Sequence, residues 1–314
     1  MFAYVARRLG SMVATMLVVG VVVFFVIHAV PGDVTSALLG QDASREQIEA
    51  LRARLNLDQP LHVQFVSWFG GVVRGDLGSS TYMRVPVIDA IGQRLEPTGM
   101  LALLATLVAV TLGVTLGVIA AVRHNTWIDY AVMFVAMLGL SLPGFWLGLL
   151  MILTFAVKLR WLPAAGYVPL AESPIDTLRY LVMPAVSLGF SQAAVIARMT
   201  RASMLDALRE DFVRTARSKG LPEGRVVVRH ALRNALIPVL TVIGLSIATV
   251  AGGVVVTETV FNIPGAGRLV IESVQRRDYP VLQGAVIAVA FVYALVNLLV
   301  DLSYLGLDPR VRYS

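Results

Sequence analysis

Six long uncharged apolar runs set the pattern of this chain: Leu9–Val30, Gly99–Val122, Tyr130–Val157, Leu181–Ala197, Ala235–Thr257 and Val281–Val300. None contains Asp, Glu, Lys or Arg. A bilayer core of ~30 Å is crossed by about twenty helical residues, so the pattern predicts an all-α membrane protein with six transmembrane helices. The first run follows Arg7 and Arg8 and holds nineteen uncharged residues from Leu9 to Ile27. That exceeds the ~7–15 residues of a signal-peptide core, and HAVPGD follows it instead of an Ala-x-Ala site. A retained first helix is expected.

The polar stretches divide the chain into an N-terminal tail with the first span (1–30), an outer helical segment (31–98), a membrane core (99–300) and a C-terminal tail (301–314). The outer segment is too long for a plain connector. Ser44 and Gln47 have capping-box spacing, and Ile48, Leu51 and Leu55 then share one helical face. A second helix is predicted from Pro60, with Leu61, Phe65, Trp68 and Phe69, ending by Gly75. A third, from Pro86 through Ile88, Ile91 and Leu95, leads into the second span and is expected to lie in the membrane interface. Helix breakers fall inside the later spans: Pro143-Gly144, Pro184, and Pro238 with Gly244, Gly252 and Gly253. They predict kinks or unwound turns lining a path, or close packing through small residues.

Composition agrees with the membrane class, since 57% of the residues are hydrophobic and only 15% charged. The net charge of +6 is concentrated rather than spread: the interval Arg198–Arg233 holds nine Lys/Arg and four Asp/Glu. With six spans both termini lie on the side of that interval, where 66 residues carry fourteen Lys/Arg against twelve in the 114 residues of the other side. The basic side is therefore expected to be cytoplasmic, and nucleic acid is not needed to explain the charge. The absence of cysteine excludes disulfides and thiolate chemistry. No phosphate-binding loop and no H-E-x-x-H occurs, and the four histidines are scattered at 28, 62, 124 and 230. No catalytic, cofactor-binding or metal site is expected. Gln192, Ser246, Thr249 and Asn297 are polar groups within the spans, available for a translocation path or for interhelical hydrogen bonds.

The connection 198–234 carries the densest signal. Gly220-Leu221-Pro222 marks a helix stop followed by a helix start. Glu210 and Arg214 are spaced to pair, and Arg225, Arg229 and Arg233 recur every four residues. Such a stripe of like charge calls for an anionic partner, either lipid phosphates or an acidic groove on another protein.

The same segment resembles the cytoplasmic coupling loop of ABC-importer permeases, whose general pattern is Glu-Ala-Ala, three residues, Gly, nine residues, Ile-x-Leu-Pro. Arg214-Thr215-Ala216, Gly220 and His230-Ala231-Leu232-Arg233 occupy those places. Ala216, Gly220 and Leu232 keep the general pattern, and RTAR-x-KG…RHALRNALIP is similar to the dipeptide/oligopeptide/nickel branch. Leu221-Pro222-Glu223 departs from it where relatives carry a Ser or Thr cap. PGD at 31–33, LNLDQPL and GDLGSS within 55–80, ETVFNIPGAGRL through RDYPVLQG at 258–284, and DPRVRY near the end extend the resemblance along the whole chain.

The resemblance implies a type I importer permease fold, with one peripheral N-terminal helix and a five-helix core, in a bacterial inner membrane. Its expected partners are a second homologous permease, two cytoplasmic ATPase subunits that bind ATP and Mg, and an extracytoplasmic substrate-binding protein. Arg214, Thr215, Ala216, Lys219, Gly220, Arg225, Arg229 and Arg233 would form the ATPase-coupling loop. Peptides, glutathione, nickel chelates and oligosaccharides are all carried by such relatives. An ion-coupled secondary transporter is the alternative; it would ordinarily need an acidic residue or His inside a span, although sodium coupling through unwound backbone would not. ETVFNIPGAGRL is expected to form a tight re-entrant turn or a surface loop on the outer side.

Overall fold

The computed structural model describes residues 2–29, 44–47, 49 and 58–307. Every named element among them is helical: α1 (Phe2–Ala29), α2 (Leu61–Val73), α3 (Val87–Val122), α4 (Trp127–Ser141), α5 (Gly144–Met151), α6 (Pro174–Arg209), α7 (Asp211–Ser218), α8 (Glu223–Val260), α9 (Ala266–Arg276) and α10 (Tyr279–Leu307). α1, α3, α6, α8 and α10 are each long and apolar enough to cross a bilayer. The expected third span is instead a broken pair, α4 and α5 with its π-helical continuation Ile152–Lys158, bent by 103°. Pro143 causes the break: it has no N–H to donate and pushes Leu142 into extended backbone. Pro184 and Pro238, by contrast, lie inside unbroken helices, so unwinding does not occur there.

The chain forms two compact units, Met1–Glu96 with Gly265–Leu298 and Pro97–Pro264 with Leu299–Ser314. In the first, α2 rests its aromatic face on α1. The Phe24 ring lies 5.3 Å from Phe65 and 5.6 Å from Trp68, and Gly20 leaves space for Phe69. Upstream, Ser44 N–H donates to Gln47 Oε1 and Gln47 N–H to Ser44 Oγ, a reciprocal capping box. Ile48, Leu51 and Leu55 lie outside the described residues. The helix predicted from Pro86 is the first part of α3, continuous with the span through Pro97. Only part of it has an interfacial character. Ile88 and Leu95 are exposed, whereas Val87 and Ile91 are buried with Leu269, Val281 and Ala285.

The second unit is built on α6, against which α3, α4, α5 and α8 pack. Small residues set how closely α3 and α6 approach. A Cβ on Gly189 would lie 2.5 Å from the Ala105 carbonyl oxygen, on Gly117 2.6 Å from the Ala197 carbonyl, and on Gly113 2.7 Å from Ile196. In a bilayer, where lipid tails are as apolar as Leu, such backbone proximity supplies the dispersion that holds helices together. Leu101, Leu181, Met183, Val254, Phe261 and Ile263 fill the core beside this seam.

A buried ion cluster ties the α3–α4 turn to α6. Asp129, 1% exposed, receives Arg201 Nε at 2.6 Å and Nη2 at 2.7 Å, with the Asn125 N–H at 3.1 Å. His124 Nδ1 lies 3.1 Å from Arg201 Nη2 and 3.2 Å from Asp129 Oδ2. The Arg201 guanidinium thus neutralises the buried Asp129 carboxylate. Arg201 therefore belongs to the fold, although in sequence it counts among the basic-loop charges.

Two predictions follow from these contacts. Gly189→Val should lower the thermal unfolding midpoint of the detergent-purified protein, since overpacking costs about 1–3 kcal/mol. Gly252→Ala, whose Cβ would meet nothing within 4 Å, should leave the midpoint unchanged. Asp129→Asn strands a half-buried guanidinium and should destabilise by about 3–5 kcal/mol. Denaturant unfolding of the variant beside the wild-type protein at pH 7 checks the size and the direction.

Candidate functional site

The basic connection folds as a helical wedge. α6 runs to Arg209, Glu210 adopts extended backbone, and α7 begins at Asp211 with an acidic first turn suited to the helix N-terminus. α7 ends in a Schellman motif: Gly220 N–H donates to the Arg217 carbonyl at 2.9 Å and Leu221 N–H to the Ala216 carbonyl at 3.4 Å. Gly220 has φ +75, the left-handed conformation this cap requires. Leu221 then packs into an apolar cluster with Val213 and Ala216 of α7, Met204 and Ala207 of α6, and Val226, Val227 and Ala231 of α8. Pro222 caps the first turn of α8, which passes through a π-helical stretch, Val226–Ala231, before regular α-helix resumes.

This geometry sorts the residues singled out from sequence. Ala216 is buried and anchors α7; Arg214, Thr215, Lys219 and Gly220 are exposed on its outer surface beside Phe212, which is 39% exposed. Arg225, Arg229 and Arg233 are also exposed, but the π-helical stretch interrupts the regular four-residue row. The expected Glu210–Arg214 pair does not form. Arg214 Nη2 pairs with Asp211 Oδ1, because Glu210 lies at the cap, outside the helix. Arg217 forks onto Glu223 across the break at 3.1 and 2.6 Å, holding that carboxyl below its usual range. Both groups are half-exposed, so the bridge adds orientation more than stability.

Gln192 lies on α6, Ser246 and Thr249 on α8, and Asn297 on α10. Thr249 donates its hydroxyl to the Leu245 carbonyl of its own helix at 3.1 Å, and Ser246 is buried. Among the described residues no hydrogen bond joins any two of the four.

ETVFNIPGAGRL is not a plain surface loop. Phe261 and Ile263 are buried in the core, and Ile263 N–H returns to the Glu258 carbonyl at 2.8 Å. Asn262 takes φ 51 at the turn, and Gly265 caps α9. Two carboxylates in this region had no signal in spacing. Glu258, fully buried, accepts the Thr98 hydroxyl at 2.5 Å. Asp278, 2% exposed, clasps the turn 80–82 through the Ser80 and Thr81 hydroxyls and the Thr81 and Tyr82 N–H groups. Their partners lie some 160 to 198 positions away, so only folding reveals the pairs.

Residues 113–313 match the family described as "binding-protein-dependent transport system inner membrane component", and residues 1–101 match its N-terminal family. Full-length relatives include the probable peptide ABC transporter permease protein y4tP of Sinorhizobium fredii, 44% identical over 313 residues with both chains fully covered. The glutathione transport system permease protein GsiC of Escherichia coli is 44% identical over 314 residues, again covering both chains. A chain of the methionine ABC transporter MetNI, solved in inward-facing conformations, superposes with a TM-score of 0.56 at 16% identity. That likeness covers 70% of this chain and 97% of the other, and it concerns the fold. These matches favour the ABC importer over ion-coupled secondary transport. The chain belongs to the binding-protein-dependent transport system inner membrane components, the permease subunits of ABC importers.

Proposed function

We propose that this chain is one permease half of an importer for peptides or related small solutes in a bacterial inner membrane, and that its basic face is cytoplasmic. It would pair with a second homologous permease and receive solute from an extracytoplasmic binding protein. Two ATPase subunits would bind the ATP and Mg. The Lys/Arg asymmetry supports the orientation. Peptide and glutathione in the names of full-length relatives support the solute class.

The observation that carries the mechanism is the wedge formed by α7. A helix anchored through Val213 and Ala216 to both α6 and the start of α8 cannot be displaced without moving the two helices that enter the membrane beside it. An ATPase pressing on the exposed face at Arg214, Thr215 and Lys219 would transmit its closure as rigid-body motion. The Schellman cap at Gly220 fixes the angle of the wedge, and Arg225, Arg229 and Arg233 offer further positive charge to the same partner. Gln192, Ser246, Thr249 and Asn297 are proposed as polar points along the path.

The rigorously purified chain should hydrolyse no ATP alone, and turnover should require the ATPase subunits; phosphate release assays with and without them check this. Gly220→Val should reduce co-purification of the ATPases and solute-stimulated turnover. A Cβ there meets no neighbour within 4 Å, so the cost is the ~1–2 kcal/mol of left-handed backbone rather than a clash. Arg214→Glu should also weaken docking, by placing like charge beside Asp211. Gly224→Ala, equally free of neighbours, and Arg45→Glu, in the outer segment, should couple normally. Full assembly and turnover in both Gly220→Val and Arg214→Glu would reduce the connection to a lipid-facing basic patch.

A further inference from the structure

α2 carries no Asp, Glu, Lys or Arg, and none of its thirteen residues is buried within the chain. One face, Phe65, Trp68 and Phe69, rests on α1. A second face carries Val63, Val66 and Val73, which are 41, 68 and 72% exposed, and a Cβ on Gly70 in the same stripe would meet nothing within 4 Å. Standing in water, such a stripe would be an aggregation liability.

The height of α2 against its neighbours decides what covers the stripe. A Cβ on Gly20 of α1 would lie 3.4 Å from the Phe69 ring and 3.6 Å from Ile287 Cδ1 of α10. Gly20 is seven residues short of the end of the α1 span at Ile27, and Ile287 is six residues past Val281, the first residue of its apolar run. At ~1.5 Å per residue along each axis, both helices put the Phe69 contact about 10 Å inside the hydrocarbon, on the side away from Arg7 and Arg8. Two spans of opposite direction give one depth.

α2 also runs antiparallel to α1, because Phe65 stacks on Phe25 at 6.2 Å and Phe69 meets Gly20, five residues earlier. It enters the bilayer with increasing depth, and at ~20 Å long it cannot cross. The chain turns back at Arg74, Gly75 and Asp76, whose N–H groups donate to the Gly71, Val72 and Gly71 carbonyls, while Gly78 N–H donates to Asp76 Oδ1. Internal satisfaction of that kind is what a turn at membrane depth requires, and an arginine stem can carry its charge toward the surface. Leu77 then reaches Gly284 of α10, and Ser80 reaches Asp278 just before it.

We propose that α2 is a re-entrant helix in the outer half of the bilayer and that lipid acyl chains cover its Val63, Val66 and Val73 face. Phe25, stacked on Phe65 and itself half-exposed, continues that surface onto Val18 and Val22 of α1, both exposed. A soluble partner would find no charge on the stripe and would have to pass the hydrocarbon edge to touch it. The word outer rests on the orientation proposed above; the depth and the lipid contact do not.

The chain has no cysteine, so a single introduced cysteine accepts a single nitroxide label. Val63→Cys, Val66→Cys and Val73→Cys alter exposed positions only, and each full-length variant is labelled and reconstituted in phosphatidylethanolamine and phosphatidylglycerol vesicles, alone and with its partner subunits. Power saturation then measures collisions with oxygen, which concentrates in hydrocarbon, and with a nickel chelate, which stays in water. Labels at 63, 66 and 73 should meet oxygen as often as a doxyl group on the acyl chain of phosphatidylcholine in the same vesicles. They should meet the nickel chelate about tenfold less often than a label at Arg45→Cys in the outer segment. The ratio of oxygen to nickel collisions should rise from 63 to 66. Frequent nickel collisions would mean a helix in water, and scarcity of both would mean coverage by protein, either another segment of this chain or, if seen only in the complex, a partner subunit. Each of these results would overturn the proposal. No transport or ATP turnover enters the measurement on the chain alone, so failure of the importer reading is a separate result.

Discussion

The close approach of α3 to α6 is the constraint on which the second unit depends. Gly113 and Gly117 on α3, and Gly189 on α6, bring backbone and side-chain atoms to distances at which a Cβ would collide. With no water to expel between helices in a bilayer, this packing must carry association that burial of apolar surface would carry in a soluble core. It places α6 at the centre, so that sixteen of its residues are buried, including Thr177, Ser187, Thr200 and Ser203. The other helices are arranged around that seam, and the bend at Pro143 lets the α4–α5 pair pack along α6 despite changing direction by 103°.

Charge follows a different rule. Ionisable groups occur at the ends of the apolar runs, and where they are buried they are paired through several hydrogen bonds. Asp129 with Arg201 and Asp278 with the turn 80–82 each fasten a connection to a helix, and each carboxylate accepts at least three donors. Charge left on the surface is concentrated on α7 and the start of α8, where neighbours neutralise Arg214 and Arg217 locally and leave Lys219, Arg225, Arg229 and Arg233 outward. Buried carboxylates therefore fasten connections to helices, and the outward cations of α7 and α8 make up the face we propose for a partner.

Much of this architecture was legible in the sequence because membrane insertion acts on local composition. A run without charge must be helical and long enough to satisfy its own backbone, which placed an apolar run along each of α1, α3, α6, α8 and α10, while six helix ends extend seven to twelve residues beyond it. Local chemistry was equally direct at Gly220, where a glycine before Leu-Pro specified the left-handed cap, and at Ser44 and Gln47, whose spacing specified the capping box.

What only the tertiary structure decided was the outcome of competition between local preference and distant partners. Pro143 broke its span while Pro184 and Pro238 did not, although all three lack the same N–H; neighbouring helices determine where a freed carbonyl is tolerated. Arg201 reads as one more charge in a basic loop until a carboxylate 72 residues earlier claims it. Spacing made Glu210 the partner of Arg214, but the end of α6 put Glu210 outside the helix and gave the contact to Asp211. The sequence by itself determined which segments are apolar enough to cross the bilayer and which face carries positive charge, because both depend on hydration of individual side chains. Pairing, bending and the height of α2 beside α1 depended on which distant groups arrive together, and folding alone sets that.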